Sequence, residues 1–305
     1  MEKYIIKYRN YLFLLKCISR FSPSSFSNSI ATFIARYFSP RVAEQKKVSH
    51  SIKYYLGETV STESAWNSYI SHSSVKECNI FYHDRINKKW LEKHVEIQGF
   101  DYIQACMESE KSMLLMTYHH HYNLLLCILV GLLGYRTDVI AMNPKLNPLY
   151  ESFKHMADKR YSDVESHLNG GAILYVEPGK FSTRSIVHAL DHGHLVITAN
   201  DFPDSFADKR RISLPFFRGT ITCPTGSVEI GLRKGAHMAS AFLRWLEKDK
   251  FQLVFEPIGG NTIDEIMRQY LAHLEALIIT DPGLWEGWKA LSQTETKSPD
   301  PINNS

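Results

Sequence analysis

The chain has 305 residues, 44% of them hydrophobic and 22% charged, with a formal net charge of +3. That length admits one large α/β domain or two small ones around a sizeable core, and so small a charge does not imply a nucleic-acid partner. Five dispersed cysteines (Cys17, Cys78, Cys106, Cys127 and Cys223) form no CxxC pair, which argues against a disulfide framework or structural zinc and for a reducing compartment.

No uninterrupted apolar run reaches the roughly 18 residues of a transmembrane helix, so none is expected. The opening MEKYIIKYRNYLFLLKCISRF is broken by Lys3, Lys7, Arg9, Lys16 and Arg20, and no small-residue cleavage site follows, so it reads as neither a signal peptide nor a span. Residues 4–20 set aromatic and aliphatic bulk beside basic side chains, the composition of an interfacial anchor and equally of a first helix packed on a core. Residues 1–90 read as mostly helical, with boundaries near Ser22–Ser27 and Gly57–Ser61.

Alternating strands and helices begin at Val95. Val95–Gly99 reads as a strand running into a turn, Phe100–Glu108 as a helix, Ser112–Thr117 as a buried strand and Leu124–Leu133 as a buried helix stopped by Gly134. Then come a strand over Thr137–Met142, a helix over Leu149–Arg160, a strand over Ala172–Val176, a helix over Ser182–Leu190 and the strand Leu195–Ala199. A helix over Thr225–Lys234 ends at Gly235. Met238–Leu246 and Phe251–Pro257 form a hairpin, and Thr262–Ile279 is a final amphipathic helix. This alternation predicts an α/β fold, a mainly parallel central sheet flanked by helices, as one domain over 1–293 with a disordered tail at 294–305. Functional residues then belong at strand C-terminal ends.

Two strand ends carry chemistry-bearing residues. Thr117-Tyr118-His119-His120-His121-Tyr122-Asn123 joins a buried strand to an apolar helix, where a neutral imidazole can take a proton from a hydroxyl. A structural loop and a metal site are the alternatives, the latter disfavoured because neighbouring side chains in a turn rarely converge on one ion. At the second end, Ala199-Asn200-Asp201-Phe202-Pro203-Asp204 offers Asp201 to orient a base or bind a polar substrate, or else to form an Asx turn. Lys209, Arg210 and Arg211, with Arg218 beyond them, suit a phosphate or anionic headgroups, or form a solvated charge run. Lys159-Arg160 at a helix end has the helix dipole as its default partner. Trp285 and Trp288, near a turn, either clamp the last helix or anchor at a membrane interface.

In their order these blocks resemble the bacterial lipid A biosynthesis (lauroyl/myristoyl) acyltransferases, within the wider glycerolipid (lysophospholipid-type) acyltransferase fold. The likeness spans almost the whole chain: Arg41-Val42-Ala43 before Ser49–Leu56, Val95–Gly99, the strand ending at His119, Asn147-Pro148-Leu149, Ala189–Gly193, the strand reaching Asp201, Pro215-Phe216-Phe217, Gly226, Gly235-Ala236 and Pro282–Trp288. It implies transfer of a fatty acyl group from acyl carrier protein or acyl-CoA to a hydroxyl of a lipid or glycolipid acceptor, lipid A-like or the anchor of a surface polysaccharide. It implies no cofactor, and a peripheral or monotopic place on the cytoplasmic face of the inner membrane. The family signature HxxxxD/E puts the basic histidine on His119, with His120 next, and Asp201 on a second acid. His121, Asn123, Arg160, Lys209, Arg210, Arg211 and Arg218 become candidate substrate contacts, Arg160 standing two residues from a family arginine. The signature acid is missing: Leu124, Leu125 and Leu126 stand five residues after the three histidines. Asp201 replacing that acid in space, a histidine-only mechanism, and a catalytically silent lipid-binding scaffold are the outcomes this departure allows; a metal-dependent hydrolase is the other class.

Overall fold

The first third of the chain is helical because its apolar residues recur at three- and four-residue spacing. The computed structural model describes residues 2–21, 24–38, 44–109, 111–177, 183–202 and 210–291. The Arg41–Ala43 block, Pro203, Asp204, Lys209 and the expected tail at 294–305 lie outside them. Helix α1 (Glu2–Phe21) buries Tyr11, Leu15 and Ser19, and α2 (Ser24–Phe38) buries Ser27, Asn28, Ala31 and Ala35. Both pack on α4 (Thr62–Asn79), which α3 (Gln45–Leu56) also contacts. The start of α4 is fixed by Ser61, whose hydroxyl accepts the Ser64 N–H at 3.2 Å. A 3-10 turn over Ile80–Arg85 and α5 (Lys88–His94) lead into the sheet.

The remaining elements follow in order: β1 (Val95–Gln98), α6 (Phe100–Glu108), β2 (Met113–Thr117), α7 (Asn123–Leu132), β3 (Thr137–Met142), α8 (Tyr150–Glu165), β4 (Ile173–Val176), α9 (Thr183–Asp191), β5 (Leu195–Ala199), β6 (Arg211–Phe216), β7 (Gly219–Pro224), α10 (Gly226–Lys234), β8 (His237–Glu247), β9 (Lys250–Ile258) and α11 (Ile263–Thr280). The alternation read from the sequence is the alternation found, a mixed α/β fold with helices at its N-terminal end. Two details differ. Strand β7 pairs with β6 in a separate two-stranded ribbon that the sequence reading passed over. Helix α8 runs on to Glu165, so Lys159 and Arg160 do not sit at its last turn; Lys159 instead pairs with Asp163 at 2.7 Å.

The central sheet has seven strands in the order β1-β9-β8-β2-β5-β3-β4. Every neighbouring pair is parallel except the β8–β9 hairpin. All five residues of β2 and the first four of β5 are buried, as strands covered on both faces must be. From β2 the chain crosses over to β3 on one side, and from β5 it returns to β8 on the other, so the β2–β5 boundary is a switch point, where sheets of this kind place their functional residues beyond the strand ends. Thr117 is paired in register with Ala199, which sets the residues two steps further on, His119 and Asp201, side by side.

Helix α11 braces that edge. Thr262 and Glu265 form a reciprocal capping box at its start, and Tyr270, fully buried, reaches both strand ends. Its hydroxyl donates to the Thr117 carbonyl at 2.6 Å and accepts the Asn200 N–H at 3.1 Å. Tyr270→Phe strands both backbone groups away from water, and a buried unpaired group costs about 1–3 kcal/mol. Urea unfolding should show a loss of that size, with the slope unchanged.

Candidate active site

The fold makes a carboxylate site out of two strand ends and the C-terminal segment. Asp201 is wholly buried, and three N–H groups point at its two oxygens. The His119 ring donates from Nδ1 to Oδ1 at 2.7 Å; the His119 backbone N–H donates to Oδ2 at 2.8 Å, and the Trp285 indole N–H to the same oxygen at 2.6 Å. Burial alone would push the Asp201 pKa up. The His119 charge, its ring and backbone N–H bonds and the Trp285 indole outweigh burial, and the net effect holds the carboxyl below its ordinary range. An ionised carboxylate only accepts, so the proton between the two side chains sits on Nδ1, and in the neutral ring that tautomer puts the lone pair on Nε2. The ring is 34% exposed, with Phe202 packed at 4.6 Å between centroids. This is an imidazole held in one tautomer, with about a third of its side chain open at the strand ends.

Trp285 arrives because the last segment zips onto the histidine turn. The Glu286 N–H donates to the His119 carbonyl at 2.8 Å and the His121 N–H to the Leu284 carbonyl at 3.3 Å, with His120 and Trp285 bridged antiparallel. Asp281 anchors the other end of the segment, accepting from Ser68 at 2.7 Å and lying 2.6 Å from His72 Nε2. Gly283 has no room for a side chain: a Cβ there would lie 2.4 Å from the Tyr69 nitrogen. Trp285 and Trp288 are both fully buried, so neither is exposed as an interfacial anchor; they pack on each other and on Phe216 and Tyr55. The part of Trp285 in holding Asp201 had no local signal in the sequence, since the indole needs a carboxylate 84 residues away.

The three histidines diverge. His120 is sealed in the core, where Nδ1 accepts the Tyr122 N–H at 3.0 Å and burial pushes its pKa down to about 3. With no exposed surface it offers neither ring nitrogen to a substrate, which removes it as a base. His121 is equally buried and faces the opposite way, into a cavity of about 180 Å³. Among the described residues no group of three or more His, Cys, Asp or Glu side chains is arranged to hold a metal ion.

The other predicted contacts fall into two sets. His121, Asn123 and Arg160 line that cavity, with Lys76, Asn79, His83 and Glu286, which the sequence reading missed. Leu124, in the place of the signature acid, is part of the same wall. Lys209 lies outside the described residues. Arg210 pairs with Glu229 at 2.6 Å, and Arg211 opens β6. Arg218 lies past the other end of that strand, roughly 20 Å from Arg211 at ~3.3 Å per residue, so these cations do not form one cluster.

A family model described as bacterial lipid A biosynthesis acyltransferase matches residues 3–287. Among curated proteins none gives a significant match. Because the pKa of Asp201 is depressed on folding, its contribution to stability is complete above the unfolded carboxyl pKa of about 3.9 and is lost as pH falls through the lower folded value. Asp201→Asn should therefore lower stability by about 2–3 kcal/mol near pH 7. In denaturant melts taken at successive pH values, the gap to the parent protein should close below about pH 4.

Proposed function

We propose that this chain, which belongs to the bacterial lipid A biosynthesis acyltransferase family, moves a fatty acyl group from an acyl carrier protein or CoA thioester to a hydroxyl of a lipid A-like acceptor. The observation that carries the reading is the 2.7 Å contact between His119 Nδ1 and the buried Asp201, in a side chain that is itself 34% exposed. The acceptor hydroxyl donates to Nε2. As its oxygen attacks the thioester carbonyl, the imidazole takes the proton, and the new charge is stabilised by the buried carboxylate on the far side of the ring. Collapse of the tetrahedral intermediate forms the ester C–O bond and breaks the C–S bond, and the imidazolium returns its proton to the departing thiolate. Asp201 in this scheme replaces the signature acid that Leu124 displaces, working from the neighbouring strand instead of the next helical turn.

The membrane is approached through α1 and α2. Phe13, Phe26 and Phe33 are more than half exposed, with Ile6 and Leu14 beside them in sequence, and Lys7, Arg9, Lys16, Arg20 and Arg36 are exposed on the same two helices. Aromatic bulk among cations suits an anionic bilayer surface. No helix among the described residues is long and apolar enough to cross a membrane. In this reading the protein is a peripheral or monotopic enzyme on the cytoplasmic face of the inner membrane, held there by these two helices.

Transfer from radiolabelled acyl carrier protein and acyl-CoA to a phosphorylated glycolipid in mixed micelles tests the chemistry. His119→Ala and Asp201→Asn should each lower kcat by about 10³–10⁴-fold. Turnover unchanged in both variants would instead leave a lipid-binding scaffold as the reading. For the surface, Phe13→Asp combined with Phe33→Asp should weaken binding to vesicles containing anionic lipid at least tenfold in sedimentation. Binding by the parent protein should fall as salt is raised.

A further inference from the structure

The cavity beyond His121 holds a set of polar atoms that the fold itself leaves unused. It lies between the end of α4, the following 3-10 turn, the start of α7 and the middle of α8. Asn79 Nδ2, His83 Nδ1, both ring nitrogens of His121 and Arg160 Nε are buried without a hydrogen-bond partner. Of the two His121 nitrogens, Nδ1 faces Glu286 at 3.1 Å, so Nε2 is the one turned to a ligand. Native structures pair nearly all such atoms, and each one buried unpaired costs about 1–3 kcal/mol. Four side chains in that condition around one cavity describe a site waiting for a ligand.

The chemistry of the ligand follows from the donors. Arg160 Nε and Asn79 Nδ2 only donate, and each neutral imidazole brings one N–H more. Both histidines are held neutral in the free protein, with burial pushing each pKa down to about 3. The two carboxylates nearby are already matched: Glu286 is engaged by Lys76 with Lys289 at 3.9 Å, and Glu77 lies 3.4 Å from Arg160 Nη2. The start of α7 adds the positive end of a helix of ten residues. N–H groups arriving from two helices and two turns suit an acceptor-rich, tetrahedral group more than a planar carboxylate, which is gripped from one side.

We propose that this cavity binds a phosphoryl group carried by a substrate, at a position distinct from the His119–Asp201 pair. That the phosphoryl belongs to a substrate rests on the acyl-transfer reading; that the cavity takes an oxyanion does not. Two sources share the chemistry, a phosphate on the glycolipid acceptor and the phosphodiester of a pantetheine donor arm. The cavity wall includes Leu124, five residues from His119, so a phosphoryl held there fixes one end of a molecule whose other end reacts at the crevice.

Calorimetric titration of the full chain with inorganic phosphate, at constant ionic strength in chloride, tests it. The parent protein and His119→Ala, which has lost the proposed base, should both give saturable binding. Asn79→Leu and Arg160→Gln should each weaken it at least tenfold. Asn79→Leu also separates ligand binding from folding: Nδ2 has no partner to lose, so its thermal midpoint should stay or rise while phosphate binding falls. Absence of saturable binding, or equal binding by both cavity variants, overturns the proposal. A sugar 1-phosphate or 4′-phosphopantetheine binding more tightly than inorganic phosphate identifies the source; if neither does, the cavity takes an adventitious ion only and the substrate assignment falls. Phosphate binding in a protein without transfer activity would sink the acyl-transfer reading and leave the oxyanion site standing.

Discussion

A carboxylate with no access to water is the constraint around which the crevice is organised. Asp201 has given up its hydration completely, and an isolated charge in that position would be driven to protonate. Three N–H groups prevent this, from two separate parts of the chain: the His119 ring and backbone, and the Trp285 indole. Each donor fixes something else in return. The ring bond sets the tautomer of His119, the backbone bond sets the path of the turn after β2, and the indole bond seats the C-terminal segment against that turn.

These bonds depend on the sheet for their lengths. With Thr117 opposite Ala199, two residues of each strand's continuation bring the ring and the carboxylate together. A slip of one residue would turn β2 and β5 inside out and separate the pair. Tyr270 guards against that from below, bonded to both strand continuations by one hydroxyl. The network continues outward through His72, whose ring joins Tyr122 at 2.8 Å and Asp281 at 2.6 Å, tying α4 to the same segment. The His119–Asp201 site is therefore tied through α4 to α1 and α2, the helices that carry the exposed phenylalanines and cations.

Much of this architecture was readable along the chain. Short apolar runs such as Ser112–Thr117 and Leu195–Ala199, punctuated by glycine and polar turns, have one stable use in a chain of this length, as covered strands of a parallel sheet. The ends of those runs drew attention to His119 and Asp201. Other features escaped for physical reasons. Strand β7 is a short run whose partner is β6 alone, so its pairing decides its conformation more than its composition does. Helix α8 continues past Arg160 on Tyr161 and Val164, an apolar pair three residues apart that is buried only once the helix packs on the core. Asn79, His83 and Lys76 lie on a stretch that reads as ordinary amphipathic helix and turn; only the arrival of α8 and of Glu286 makes a cavity of them.

Sequence by itself determined the elements, their order, the family resemblance and the loss of the signature acid at Leu124, because periodicity and motif spacing are local properties. It did not separate three consecutive histidines, since in a turn adjacent side chains point in unrelated directions and no pattern says where each goes. Tertiary structure sent His119 to the crevice, His120 to the core and His121 to the cavity. It also supplied an acid 82 residues from the base, a partnership set by strand register, which no spacing within a single element encodes.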